Sequence, residues 1–139
     1  MEIILTSLGS KDADVSQALM RAAMIGNTSA VAALLDHGVD VNVRDENGRT
    51  ALMEAAFGGH EDTVRVLIER GADVNACDCD GWTALMEGAS KGRLNVVKMI
   101  LEAGADVTAR NKNGWSALKA SARSSSRILR LLKEAGAEL

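Results

Sequence analysis

The sequence contains no proline and no tyrosine, and its only aromatics are Phe57, Trp82 and Trp115. A core therefore cannot be built on aromatic rings. It has to be filled by Ala, Val, Leu, Ile and Met, which favours thin helices in close approach. Cysteine is almost as scarce, with Cys77 and Cys79 separated by one residue. Positions that close make a strained disulfide, so a reducing, cytoplasmic location is the expectation. Long apolar runs are missing too, and none approaches the roughly 18 residues that a membrane-crossing helix needs. The opening stretch MEIILTSLGSKDAD has an apolar patch of only Ile3, Ile4 and Leu5, with no leading Lys or Arg and no clear cleavage site. A secretory signal is not expected from it. What is present in quantity is glycine: 13 residues, which without proline imply many sharp turns in left-handed backbone. A chain of 139 residues, 47% apolar and 25% charged, suits one domain with a workable core.

Comparing the sequence with itself reveals a period of 33 residues. Asn47-Gly48-Arg49-Thr50-Ala51-Leu52-Met53-Glu54 returns as Asp80-Gly81-Trp82-Thr83-Ala84-Leu85-Met86-Glu87, and again as Asn113-Gly114-Trp115-Ser116-Ala117-Leu118-Lys119. His37-Gly38-Val39-Asp40-Val41-Asn42 returns as Arg70-Gly71-Ala72-Asp73-Val74-Asn75, then as Ala103-Gly104-Ala105-Asp106-Val107-Thr108. Backward projection places Gln17–Ala23 on the same frame, and forward projection reaches Ala135-Gly136-Ala137-Glu138-Leu139 one residue early. Four units follow, at about 14–44, 45–77, 78–110 and 111–139. The first lacks its opening turn and the last is shortened. Residues 1–13 form a terminal cap or flexible segment, with Ile3, Ile4, Leu5 and Leu8 available to cover the first helix pair.

Within the second unit, Thr50 can cap a helix whose apolar stripe is Leu52, Ala55 and Ala56. Gly58-Gly59 breaks it. A second helix begins near Glu61 with Val64, Leu67 and Ile68 inward and Glu61, Asp62, Arg65 and Glu69 outward. Gly71 stands where a left-handed helix end is wanted, and Asp-x-Asn-Gly or Asp-x-Asp-Gly marks a tight turn. Helices are predicted near 16–25, 28–36, 50–58, 61–69, 83–91, 94–102, 116–122 and 127–134. Pairs this short cannot bury both faces alone, so stacking must supply the core.

The stretch DENGRTALMEAAFGGHEDTVRVLIERGADVN resembles the ankyrin repeat, and the resemblance covers roughly residues 14–139. It implies an all-α solenoid of helix-turn-helix units with β-turn fingers. It also implies a non-catalytic, monomeric module that binds another protein through its concave face and fingers. The family's Pro is replaced by Ala51, Ala84 and Ala117, and its His by Met20, Met53, Met86 and Lys119. Asn42 and Asn75 occupy the position that asparagine hydroxylases modify in some family members.

Chemical sites are weighed against this frame. Cys77 and Cys79 stand alone, far from the four ligands of a zinc site; equivalent positions hold Arg44 and Glu46, then Arg110 and Lys112. Asp78-x-Asp80-Gly81 with Glu87 imitates a calcium loop, but its first ligand position is Ala76, and the helix starts too early. The two histidines, His37 and His60, lack a neighbouring nucleophile motif. No metal, cofactor or catalytic residue is therefore predicted.

The predicted partner-binding residues are Arg49, Glu54, Phe57, Asp80, Trp82, Glu87, Ser90, Lys91, Lys112, Trp115 and Arg123. The resemblance also carries Glu46, Asn47, Gly58, Cys79, Asn113 and Ala120 onto that surface. All three aromatics are expected outside the core, and removing both tryptophans is expected to leave folding nearly intact. Packing of the two rings on neighbouring turns is a compatible alternative to partner contact. Residues 107–133 hold seven basic and no acidic residues, whereas the rest holds nine basic and nineteen acidic. This polarity is read as the polar face of a terminal unit, with nucleic acid not expected at a net charge of −3. Alternatives kept open are a structural or engineered scaffold, or a metal- or nucleic-acid-linked role.

Overall fold

The computed structural model describes residues 11–121 and 126–136. Eight helices are found there: α1 (Lys11–Ile25), α2 (Thr28–Asp36), α3 (Ala51–Gly58), α4 (Glu61–Glu69), α5 (Ala84–Ser90), α6 (Leu94–Glu102), α7 (Ala117–Ala120) and α8 (Ser126–Glu134). They pair as α1–α2, α3–α4, α5–α6 and α7–α8. The first members stack as one row, α1 on α3 on α5 on α7, and the second members as another. No strand forms among the described residues; one isolated bridge joins Cys77 and Thr83. The architecture is the all-α stack of helix-turn-helix units that the repeat predicts.

Three inner helices, α3, α5 and α7, start at a hydroxyl cap. Thr50 accepts from the Met53 N–H, Thr83 from Met86 and Ser116 from Lys119, which satisfies amide donors otherwise orphaned at a helix start. The central inner helices α3 and α5 are buried over most of their surface. Ala51, Leu52, Met53, Ala55 and Ala56 are each at most 1% exposed, so α3 carries more than the stripe expected of a one-sided helix. Met53 and Met86, at the position of the family's His, lie fully in the core. In the outer row Val64, Leu67, Val97 and Ile100 face inward, and Thr28 and Thr63 join hydroxyls at 2.8 Å between α2 and α4.

Two helices depart from expectation. α1 begins at Lys11 rather than near residue 16 and takes in residues assigned to the terminal segment. The first unit has no Gly-Thr turn ahead of its helix, so nothing in the chain enforces a start at residue 16. α7 ends at Ala120 instead of near 122. Ser121 donates its hydroxyl to the Leu118 carbonyl at 2.9 Å, a side-chain bond that competes with helix continuation. The proposed cap by Ile3, Ile4, Leu5 and Leu8 falls outside the described residues, as does Arg123.

The fingers interlock through glycine. Gly81 has φ +84°, and a Cβ there would stand 2.8 Å from the Asn111 Cα of the next finger; Gly114 has φ +79° with nothing within 4 Å. Alanine at either site forces left-handed backbone, at about 1–2 kcal/mol. Gly81→Ala must also push the neighbouring finger away, so it is expected to lower the urea midpoint more than Gly114→Ala. Equal midpoints would refute the close packing of these fingers.

Candidate functional site

Each finger is tied by one Asx side chain at the same register. Asp45 Oδ1 accepts from the amides of Asn47 and Arg49, Asp78 Oδ1 from Asp80 and Trp82, and Asn111 Oδ1 from Asn113 and Trp115, all at 2.8–3.0 Å. Adjacent fingers are joined by backbone bonds, Cys79 N–H to Asn47 O at 2.8 Å and Lys112 N–H to Asp80 O at 2.9 Å. Behind them runs a second set of links. Asn42 accepts from the Asp73 amide and donates to the Gly71 carbonyl; Asn75 does the same with Asp106 and Gly104. Both asparagines thus join two units through their side-chain amides. Asp106 accepts both the hydroxyl and the amide of Thr108, which holds its carboxyl below the usual range.

Between the second and third units lies an ion cluster that the sequence alone did not reveal. Arg49 Nε donates to Glu54 at 2.5 Å, while its Nη1 reaches Asp78 at 2.9 Å and Glu87 at 3.2 Å. All four side chains are largely buried, the most open being Arg49 at 20%. One guanidinium faces three carboxyls. Burial opposes the Arg49 charge, but the bonds to Glu54 and the attraction of Glu87 hold its protonation above the ordinary arginine range. Burial pushes the Glu87 carboxyl upward; Arg49 pulls it down, and Asp78 and Glu54 add to the rise. Of the predicted contact residues, Arg49, Glu54 and Glu87 are therefore engaged with one another across the unit junction.

The remaining predicted residues fall into three groups, with Trp82 apart from them. Phe57 is 43% exposed and Trp115 38%, and each ring carries an ammonium, Lys91 at 4.8 Å from the Phe57 centroid and Lys119 at 5.4 Å from that of Trp115. Such contacts contribute about 0.5–1 kcal/mol at exposed sites. Asp80 and Lys112 are exposed at the fingertips, together with Glu46, Asn47, Cys79 and Asn113. Cys77 and Cys79 are exposed free thiols. Gly58 and Ala120 are half-buried, as is Ser90, which bonds back to the Glu87 carbonyl at 3.0 Å.

Trp82 corrects the expectation that every aromatic lies outside the core. It is half-buried and packs against the hydrophobic cluster. Described fingers flank it on both sides, whereas Trp115 has one on only one side. Two exposed apolar residues were missed: Met24, 51% exposed, and Ile25, 68% exposed, at the end of α1. Met24 shares the register of Phe57, one period earlier, so tracing the aromatic's column backward could have found it.

The cluster has a pH signature. A carboxyl that binds protons more tightly when folded than when unfolded favours folding in acid, and this contribution is lost as pH rises above its ordinary value of 4.5. Glu87→Gln is therefore expected to be more stable than the parent at neutral pH, since it removes one of three carboxyls that share a single guanidinium. The advantage should shrink as pH falls toward 4.5. Urea denaturation of both proteins across pH checks this; a Gln variant less stable at neutral pH would contradict it.

A family model described as ankyrin repeats (3 copies) matches residues 2–78, 19–111 and 77–139. No curated protein matches the chain. No helix among the described residues is long and apolar enough to cross a membrane. With the 33-residue period, the two-row stack and the hydrogen-bonded fingers in place, the chain belongs to the ankyrin repeat family, whose members are generally protein–protein interaction modules and typically not catalysts.

Proposed function

We propose that this chain is a cytoplasmic, monomeric module that captures a partner protein on the concave face and finger side of its stack. The observation that carries this reading is the pair of exposed aromatics, Phe57 and Trp115, each beneath a lysine ammonium. A ring half open to solvent gains little from its own fold. It offers a partner apolar area with a cation beside it, the chemistry enriched in binding hot spots. Fingertip Asp80 and Lys112 contribute polar contacts near Trp115, while Phe57 offers its ring at the other end of the inner helices. Arg49, Glu54 and Glu87 act behind them by fixing the relation of the second finger to the third. Arg123, in the basic stretch 107–133 of the sequence, completes the predicted set. The hydrogen-bonded fingers are ordered before a partner arrives, which lowers the entropic cost of association. The two exposed free thiols suit a reducing compartment. The acidic net charge of −3 disfavours nucleic acid as the partner.

Affinity capture with mass spectrometry tests the reading, with Phe57→Ser combined with Trp115→Ser as the comparison. The double variant is expected to stay folded, less stable by about 1–2 kcal/mol through loss of the two ring–ammonium contacts, and to lose the captured protein. Trp82→Ala is expected to destabilise the fold by about 1–3 kcal/mol, because its ring packs on the core. Unchanged capture by the double variant would overturn the assignment of the anchors.

A further inference from the structure

The ends of the inner helices opposite the fingers form a second surface. The helix-to-helix turns there read MIGNT at 24–28, FGGH at 57–60 and SKGRL at 90–94, and none contains a carboxylate. Three of the four exposed large apolar residues among the described residues lie on this rim, Met24, Ile25 and Phe57. Cations accompany them. Lys91 stands over the Phe57 ring, and Arg93 lays its side chain along Gly59 and donates Nε to the Phe57 carbonyl at 3.3 Å. His60, one period earlier, makes the matching reach, its Nε2 lying 2.8 Å from the Met24 carbonyl. Each turn is therefore held to the one before it, and the rim is a built surface. Neither Lys91 nor Arg93 pairs with a carboxylate among the described residues.

We infer that this rim docks an extended acidic segment of a partner protein, one that places a large apolar side chain against Phe57, Met24 and Ile25 and carboxylates against Lys91 and Arg93. The inference rests on the reading of the chain as a protein-binding module and names the partner's chemistry at a place away from the fingers. Charge complementarity selects the occupant, since the three turns offer apolar area and two cations that pair with no described carboxylate, and acidic residues resume only at Glu61. Its size fits as well. Neighbouring helices stack about 10 Å apart, so three turns span about 20 Å, the length of about six extended residues. A flat anionic bilayer suits the rim less. Outside residues 107–133 the chain carries nineteen acidic residues against nine basic, and a wide anionic surface would meet that excess, whereas a narrow strand follows the rim alone.

Selection of a random peptide display library on the intact chain tests this. Enriched peptides are expected to combine Asp or Glu with Leu, Ile, Phe or Trp. Their affinity should fall at least about tenfold in the Met24→Ser, Ile25→Ser, Phe57→Ser triple variant and weaken with added salt. Lys91→Glu alone should give the same loss of acidic peptides while the chain stays fully folded at the assay temperature, which separates binding from folding. Enriched peptides that lack acidic residues, or that bind the triple variant equally well, would overturn the inference. Peptides that depend instead on Trp115 and Lys112 would uphold the module and reject the rim. Failure to enrich any peptide would count against both. Rim-dependent sedimentation with phosphatidylcholine–phosphatidylserine vesicles, without peptide enrichment, would replace the segment with a membrane.

Discussion

No unit of this chain can satisfy its own backbone or bury its own helices, and the fold depends on neighbours supplying what each unit lacks. The helices are seven to nine residues in the complete units, too short to persist alone in water. Their apolar faces close only when stacked, as the burial of Ala51, Leu52, Met53, Ala55 and Ala56 of α3 between α1 and α5 shows. The polar groups follow the same rule. Asn42 and Asn75 hand their amides to the next unit, His60 and Arg93 reach back to the unit before, and finger amides bond to finger carbonyls. Stability in such a stack is close to a sum of neighbour terms. A residue at a junction therefore matters more than its own unit would suggest.

The Arg49 cluster shows what happens when one junction departs from the rest. Arg49 occupies the register that Trp82 and Trp115 fill in the following units, and Glu87 has Ala120 one period later. The second-to-third junction is thus ionic, while the third-to-fourth is apolar and holds a half-buried tryptophan at the same place. Buried ion groups seldom add net stability over apolar packing. With three carboxyls on one guanidinium, this one carries excess negative charge. Its contribution is directional: Asp78 ties its finger with one oxygen and holds Arg49 with the other.

The period made the architecture legible. Recurring Gly-x-Thr-Ala-Leu placed the capped helix starts, and glycines 38, 48, 71, 81, 104 and 114 all adopt the positive φ that a turn at those registers requires. Legibility failed where the frame is broken or where contact depends on packing. α1 has no turn to set its start, and Ser121 ends α7 through a bond to Leu118 that composition does not announce. The partners of Arg49 lie 5, 29 and 38 residues away, offsets that only the stack brings together. Trp82 and Trp115 look identical in sequence, yet one packs on the core and the other stands open. Met24 and Ile25 carry no mark in the sequence that sets them apart from buried aliphatics, yet they stand 51% and 68% exposed.

The registers that recur build the scaffold, so the registers that change have to carry recognition. Leu at 19, 52, 85 and 118 and the Thr or Ser caps at 50, 83 and 116 are spent on the stack. The columns that vary, Met24–Phe57–Ser90 and Arg49–Trp82–Trp115, reach the two opposite ends of the inner helices. An inner helix such as α3 is about 12 Å long, enough to separate a polar, hydrogen-bonded finger end from an apolar, cation-flanked turn end. A partner that spans both ends would meet two different chemistries along one helix row. Its discrimination would then come from matching both at once, since either end alone presents only a few side chains.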